Sequence, residues 1–319
     1  MKFLVTGGAG FIGSHLVRRL LTEGNQVVVL DNFSTGLRTN LALNTTTQLT
    51  ITDGSILDHS LLKKVSQDVD FIFHLAAAVG VFNIVKHPIE SLRTNINGTE
   101  NVLEIALARN IPVLLTSSSE VYGKNTSDSL SENDDRVLGS PAIARWSYSE
   151  AKAIDEFMAL AYHREFGLET RVVRLFNTVG PGQLGNYGMV VPRFVLAALN
   201  SEPIEIYGSG EQTRCFTHVA DVIEALIAIS RSTKTIGEIV NIGNTDEISI
   251  KNLAEKIISM TDSSSNLVFK RYNEVYDTNF EDMQRRVPSL NKIYELVGWK
   301  PKRTLDDIIR DVIENVNNG

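Results

Sequence analysis

The chain has 319 residues, a net charge of −7, 43% hydrophobic and 22% charged residues, a composition that fits a soluble globular protein of one large domain or two coupled ones. It has no basic block and no apolar run of membrane-spanning length, and its first strand starts at once, so neither nucleic acid nor a membrane is an expected partner and the expected location is cytoplasmic. A single cysteine, Cys215, excludes an internal disulfide framework, and no His, Cys, Asp or Glu set has metal-ligand spacing, so no metal is expected.

An apolar strand at residues 3–5 runs into a loop with Gly7, Gly10 and Gly13 spaced three apart. A helix opens at Gly13, with Leu16, Leu20 and Leu21 at helical spacing. A β-branched strand at 27–30 then ends on Asp31. Gly7 permits a tight turn, Gly10 lets the backbone approach a pyrophosphate, and Gly13 lets helix and strand pack closely. The helix N-terminus offers N–H groups and a positive dipole end to phosphates. Asp31 can accept from the adenosine ribose hydroxyls and repels a 2′-phosphate, which favours NAD over NADP. An acid here also serves to cap the turn Asn32-Phe33-Ser34. This order of parts predicts a dinucleotide site over Gly7, Gly10, Phe11, Ile12, Gly13, Asp31 and Asn32.

Strands at 48–52, 69–75, 113–117 and 170–176 alternate with helices at 57–65, 89–109 and 148–166. The alternation predicts an α/β fold, a doubly wound parallel sheet of Rossmann type with helices on both faces. Ligand groups are expected at the carboxyl ends of its strands: Asp53, the run Ala76-Ala77-Ala78 and the run Ser117-Ser118-Ser119. Beyond 176 come a turn-rich loop at 177–183, a helix at 192–199, a strand at 204–207 and a tight turn at Gly208-Ser209-Gly210. A helix at 221–230 leads to a strand at 239–242 that rejoins the sheet. From 249 onward the pattern is helix, short strand (267–270), polar loop and two final helices. Two domains are expected. Residues 1–176 plus about 217–244 form the NAD-binding domain, and about 177–216 plus 245–319 form a smaller mixed α/β substrate domain.

Tyr148 and Lys152 stand four apart in a helical stretch and share a face. An adjacent ammonium favours the phenolate and lowers the tyrosine pKa toward neutrality, which makes Tyr148 a general base for a sugar hydroxyl. Lys152 also reaches the nicotinamide ribose. Ser118 supplies a second hydrogen bond to the same substrate oxygen.

Five motifs carry a family resemblance: Thr6-Gly7-Gly8-Ala9-Gly10-Phe11-Ile12-Gly13, His74-Leu75-Ala76-Ala77, Ser118-Ser119-Glu120-Val121-Tyr122-Gly123, Tyr148-Ser149-Glu150-Ala151-Lys152 and Arg174-Leu175-Phe176-Asn177. Over essentially its whole length the chain resembles an extended short-chain dehydrogenase/reductase of the nucleotide-sugar epimerase, dehydratase and decarboxylase group. The resemblance implies a tightly held NAD that removes hydride from C4 of the sugar and returns it, with Asp53, Leu75, Ala76, Ala77 and Lys152 joining the cofactor set. It implies a UDP-sugar substrate, with Asn177, Val191, Arg214 and Arg286 on the diphosphate or base and Tyr207 in the uracil pocket.

Dehydratases resembling this chain carry Asp-Glu after the serine; Ser119-Glu120 lacks the acid that protonates a leaving C6 hydroxyl. Ser119-Glu120, Arg145-Trp146-Ser147-Tyr148, Arg214-Cys215-Phe216, Phe280-Glu281-Asp282 and Arg285-Arg286-Val287-Pro288 resemble UDP-glucuronate decarboxylases. One departure is Gly182, where those enzymes carry Arg, and a UDP-sugar 4-epimerase stays the alternative. In the decarboxylase reading Ser119 and Glu120 position the carboxylate or a water, and Arg214 supplies the proton at C5. A non-enzymatic NAD sensor on the same fold typically loses the Tyr/Lys pair, which is present here. A homodimer is expected: helices 89–109 and 148–166 carry apolar residues on more than one face, and the resemblance pairs them across a two-fold axis.

Overall fold

The computed structural model describes residues 1–42, 47–80, 87–185, 189–275 and 283–318. β1 (Lys2–Thr6) leads through the glycine loop into α1 (Phe11–Thr22), and β2 (Gln26–Asp31) follows. A one-turn α2 (Thr39–Ala42) precedes β3 (Leu49–Asp53), α3 (His59–Val65) and β4 (Phe71–His74). Next come α4 (Pro88–Arg109), β5 (Val113–Ser118), a 3-10 turn (Ser119–Tyr122), α5 (Trp146–Phe166) and β6 (Thr170–Leu175). The second half holds β7 (Thr178–Val179), α6 (Val190–Leu199), β8 (Ile204–Tyr207), β9 (Thr213–Cys215), β10 (Thr217–His218) and α7 (Val219–Arg231). It ends with β11 (Ile239–Ile242), β12 (Glu247–Ser249), α8 (Ile250–Met260), β13 (Leu267–Lys270), the short α9 (Tyr272–Val275), α10 (Asn291–Val297) and α11 (Leu305–Asn318).

Seven strands form one sheet in the order β11-β6-β5-β4-β1-β2-β3, and every neighbouring pair is parallel. This is the doubly wound sheet expected. Central strands are covered on both faces, so they read as unbroken apolar runs rather than alternating ones. On one face Leu16, Val17 and Leu20 of α1 and Val222, Ile223 and Leu226 of α7 pack against Val5, Val29 and Phe73. On the other, Leu62 of α3 and Val102, Leu103 and Ala106 of α4 pack against Leu4, Ile72 and Val113. Helix ends are set locally. Asp58 caps α3 by accepting from the Leu61 N–H (2.9 Å), and α5 stops at Gly167 with φ of 73°.

A smaller lobe gathers α6, α8 and α11 around Val191, Phe194, Ile206, Leu253, Ile257, Ile308 and Ile309. Its ladders are only two strands wide: β8 with β13, β9 with β12, and β7 with β10. β7, β9, β10 and β12 have two or three residues each, too few for a period to register, and the sequence reading passes over them. Ile293 and Trp299, grouped with the smaller domain by sequence, pack instead into the sheet-face core, where Trp299 Nε1 donates to the Asp221 carbonyl (3.0 Å).

Candidate active site

A cleft of about 800 Å³ opens at the carboxyl ends of the strands, where the sheet order turns about β1 and β4. The glycine loop forms its floor. Gly7 has φ of +71°, and a Cβ there would lie 2.7 Å from the Ala76 nitrogen; at Gly13 it would lie 2.1 Å from the Gly7 carbonyl. Only bare backbone fits where loop, helix and β4 meet. No side chain caps α1, whose first residues Phe11, Ile12 and Gly13 line the cleft, so its N-terminus is left for an anion. Asp31 is buried; Oδ2 accepts from the Ala9 N–H and Oδ1 from the Phe33 N–H, both at 2.8 Å. It therefore stiffens the loop and caps the turn while facing the cleft. Asn32, Leu75, Ala76 and Ala77 line the same wall. This uncapped, Cβ-free cradle with an acid beside it fits a dinucleotide.

Asp53 stands at the edge of this wall: its side chain is 60% exposed and ion-paired with Arg38, and Gly54, Ser55 and Ile56, which follow it, line the cleft. β3 is the edge strand, so its terminal acid meets solvent, and the lining begins with the next residue, Gly54.

At the reactive end, Ser118 closes β5 and accepts from the Glu120 N–H (3.2 Å), and it lines the cleft together with Tyr148. Tyr148 and Lys152 line the cleft on one face of α5, as their spacing implies. The expected depression of the phenol is not found. Burial, then the Glu120 and Asp155 carboxylates, hold the Tyr148 pKa above its ordinary value, and Lys152 Nζ donates to Asp155 Oδ2 at 3.1 Å. Glu120 sits between two guanidiniums: Arg286 Nη1 donates to its Oε1 (2.7 Å), and Arg145 Nη2 reaches its Oε2 (3.3 Å). Arg286 Nη1 also donates to Ser119 Oγ (3.3 Å). Both arginines are 7% exposed. Arg214, expected to act at C5, lines the cleft but donates to the Thr213 carbonyl (2.7 Å). Among the described residues, Arg145 and Arg286 are cations paired with Glu120.

Toward the smaller lobe the cleft is walled by Asn177, Val191, Tyr207 and Phe216. Asn177 Nδ2 donates to the Cys215 carbonyl (3.1 Å), and Gln212 Nε2 donates to the Tyr207 carbonyl (2.8 Å). The Arg193 guanidinium lies 4.3 Å from the Tyr207 ring centroid. Arg193 and Tyr272 line this end and were not anticipated; a signal for Arg193 exists, since it is the one charged residue of α6. Gly182 has φ of +82° and open space around it, so this loop follows a path that an arginine would adopt only with strain. The motif Phe280-Glu281-Asp282 lies outside the described residues. Among the described residues no metal-ligating cluster occurs.

The profile of the GDP-mannose 4,6 dehydratase family matches residues 4–312. The chain is 40% identical over 314 residues to the UDP-N-acetyl-alpha-D-glucosaminuronate decarboxylase of Bacillus cytotoxicus, covering 98% of this chain and 97% of that one. It is 37% identical over 312 residues to UDP-glucuronic acid decarboxylase 1 of Xenopus tropicalis, covering 98% and 71%. Its fold is similar to that of the UDP-glucuronic acid 4-epimerase from Bacillus cereus, solved with UDP-glucuronic acid and NAD. That match has a TM-score of 0.89 and 28% identity, and covers 100% of this chain and 99% of the other.

Proposed function

The chain belongs to the GDP-mannose 4,6 dehydratase family, and on that premise we propose that it is an NAD-dependent nucleotide-sugar enzyme that decarboxylates a UDP-linked uronic acid. The observation that carries this reading is the Arg145–Glu120–Arg286 cluster beside Ser118 and Tyr148. Two nearly buried guanidiniums at the reactive end suit a substrate whose C6 is a carboxylate.

The glycine loop, the α1 N-terminus, Asp31, Asn32, Ser55, Ile56, Leu75 to Ala77 and Lys152 would hold NAD, which supplies a hydride acceptor for C4 and a positive charge beside Tyr148. That charge offsets the carboxylates that raise the phenol. Tyr148 takes the C4 hydroxyl proton while Ser118 hydrogen-bonds the same oxygen. The C4 ketone makes the sugar a β-keto acid. The C5–C6 bond then breaks, carbon dioxide leaves, and the bonding pair moves onto the C4 oxygen. Ser118 and Tyr148 hold that enolate oxygen. Glu120, fixed by Arg145 and Arg286, positions the carboxyl group and the water that reprotonates C5. Tyr148 then gives its proton back to the C4 oxygen, and NAD, when bound, would return the hydride to C4, so that no net redox change results. Asn177, Val191, Arg193, Tyr207 and Arg214 face the UDP portion.

Gly182 and the Bacillus cereus match favour a second reading, a UDP-sugar 4-epimerase. One assay separates them. Enzyme and NAD are incubated with UDP-glucuronate, UDP-N-acetylglucosaminuronate, UDP-glucose and UDP-N-acetylglucosamine, and products are identified by mass and proton NMR. Loss of carbon dioxide from a uronate, abolished in Glu120→Gln, is expected. A product of unchanged mass with inverted C4 would establish the epimerase.

The proposed assembly is a homodimer through α4 and α5, on which Ile89 and Phe157 are each 65% exposed. Sedimentation at micromolar concentration should give twice the chain mass. No described helix is long and apolar enough to cross a membrane. The proposed location is the cytoplasm, in keeping with one cysteine held as a buried thiol.

A further inference from the structure

We propose that Asp155 is a positioning residue for the lysine of the active site: it holds the Lys152 ammonium in place on the face of α5 that carries Tyr148. The proposal rests on the dinucleotide and Tyr148 roles argued above.

Asp155 follows Lys152 by three positions, so both lie on the face of α5 that carries Tyr148. Lys152 is 2% exposed and Asp155 fully buried, with Nζ 3.1 Å from Oδ2. Oδ1 is buried and accepts no hydrogen bond, so the carboxylate is held chiefly for its charge. Burial raises the Asp155 pKa; the Lys152 ammonium and then the Thr99 hydroxyl of α4 oppose this and favour the charged form. Thr99 Oγ1 also lies 3.1 Å from His74 Nε2, and His74 Nδ1 lies 2.7 Å from Thr6 Oγ1. Burial, and then the Lys152 charge, hold the His74 pKa down to about 3, so its ring is neutral and offers one donor and one acceptor. The Ala76 N–H donates to Thr6 Oγ1 (3.3 Å), so these contacts run from the wall of the glycine loop through His74 to Thr99, whose hydroxyl acts on Asp155.

The charges that face this group are Tyr148, Lys152 and Glu156 on α5, Glu120 on the turn after β5, and His74 on β4. Glu156 is already matched by Arg174 at 2.7 Å. Removing the Asp155 charge makes the first proton loss from the Tyr148–Lys152 pair easier, whichever of the two gives it up.

Two variants of the full chain test this. By calorimetry, Asp155→Asn keeps an acceptor for Lys152 and should bind NAD within about threefold of wild type, whereas Asp155→Ala should bind roughly tenfold more weakly. In Asp155→Asn the acid limb of kcat/KM should move to lower pH by about one unit. Wild-type NAD affinity in both variants, with an unmoved acid limb, overturns the proposal. If none of the four nucleotide sugars is turned over, the functional reading fails while calorimetry still decides this one. Should neither variant fold, carboxyl ¹³C NMR of the wild-type protein decides. An ionised Asp155 at neutral pH is expected; an Asp155 that stays protonated there would overturn the proposal.

Discussion

The two ends of the cleft are built in opposite ways. At the cofactor end, the glycine loop, α1 and Asp31 come from the first 31 residues, and Asp31 reaches back only 22 positions to fix Ala9. At the sugar end, Glu120 is held by Arg286 from 166 positions away, while Tyr207 closes β8, Arg193 comes from α6 and Gln212 directly precedes the three-residue β9. The cofactor end is a local device set into a deeply packed sheet. The sugar end is a meeting of distant segments, so it can be retuned for a new sugar without disturbing the sheet.

Substitutions at each end should therefore fail differently. The largest loss is expected at the seam, where Tyr148→Phe should lower turnover by ~10²–10⁴-fold with NAD affinity unchanged, measured by steady-state kinetics and calorimetry. Gly13→Ala comes next. Its methyl group has nowhere to go but into the Gly7 carbonyl, so NAD affinity should fall by about 10²-fold through displacement of the loop. Loss of sugar binding with NAD affinity intact would erase the distinction between the ends. Arg286→Ala should raise KM for the uronate by ~10–100-fold, the worth of one charge-assisted hydrogen bond, with NAD affinity untouched.

The last effect is on stability rather than on activity and belongs to the cofactor end. An unfolded histidine takes up a proton below about 6.5, whereas folded His74 resists protonation to about 3. The unfolded chain then binds more protons, so stability falls as pH drops from 6.5 toward 3, by up to ~1.4 kcal/mol per pH unit. His15 and His218 are depressed chiefly by burial and act in the same direction. Denaturant titrations across this range should show a shallower slope in His74→Asn.

The same contrast explains what could be read from sequence. The parallel sheet and the dinucleotide loop were legible because strand runs, glycine spacing and a strand-end acid are local patterns. A strand-end acid looks alike on a central strand and on an edge strand; only the strand order places β3 and its Asp53 at the rim, where Arg38 pairs with the carboxylate. The Tyr148–Lys152 spacing was correct and its electrostatics were not. Asp155 occupies the same helix face, and Glu120 approaches from another element, so the lysine charge is partly spent before it acts on the phenol. Arg286 was named for the diphosphate or base, but its bond to Glu120 is a long-range contact that spacing cannot reveal.

Cys215 lies fully buried in β9, and its thiol is pushed up to about 12, first by burial and then by Glu247. A thiol that stays protonated and shielded is a poor nucleophile toward maleimides and iodoacetamides. The chain contains no other cysteine. It is therefore a ready background for single-site labelling: a cysteine introduced on an exposed rim of the cleft would take a fluorophore or spin label alone, and relative movement of its two walls could be followed in otherwise native protein.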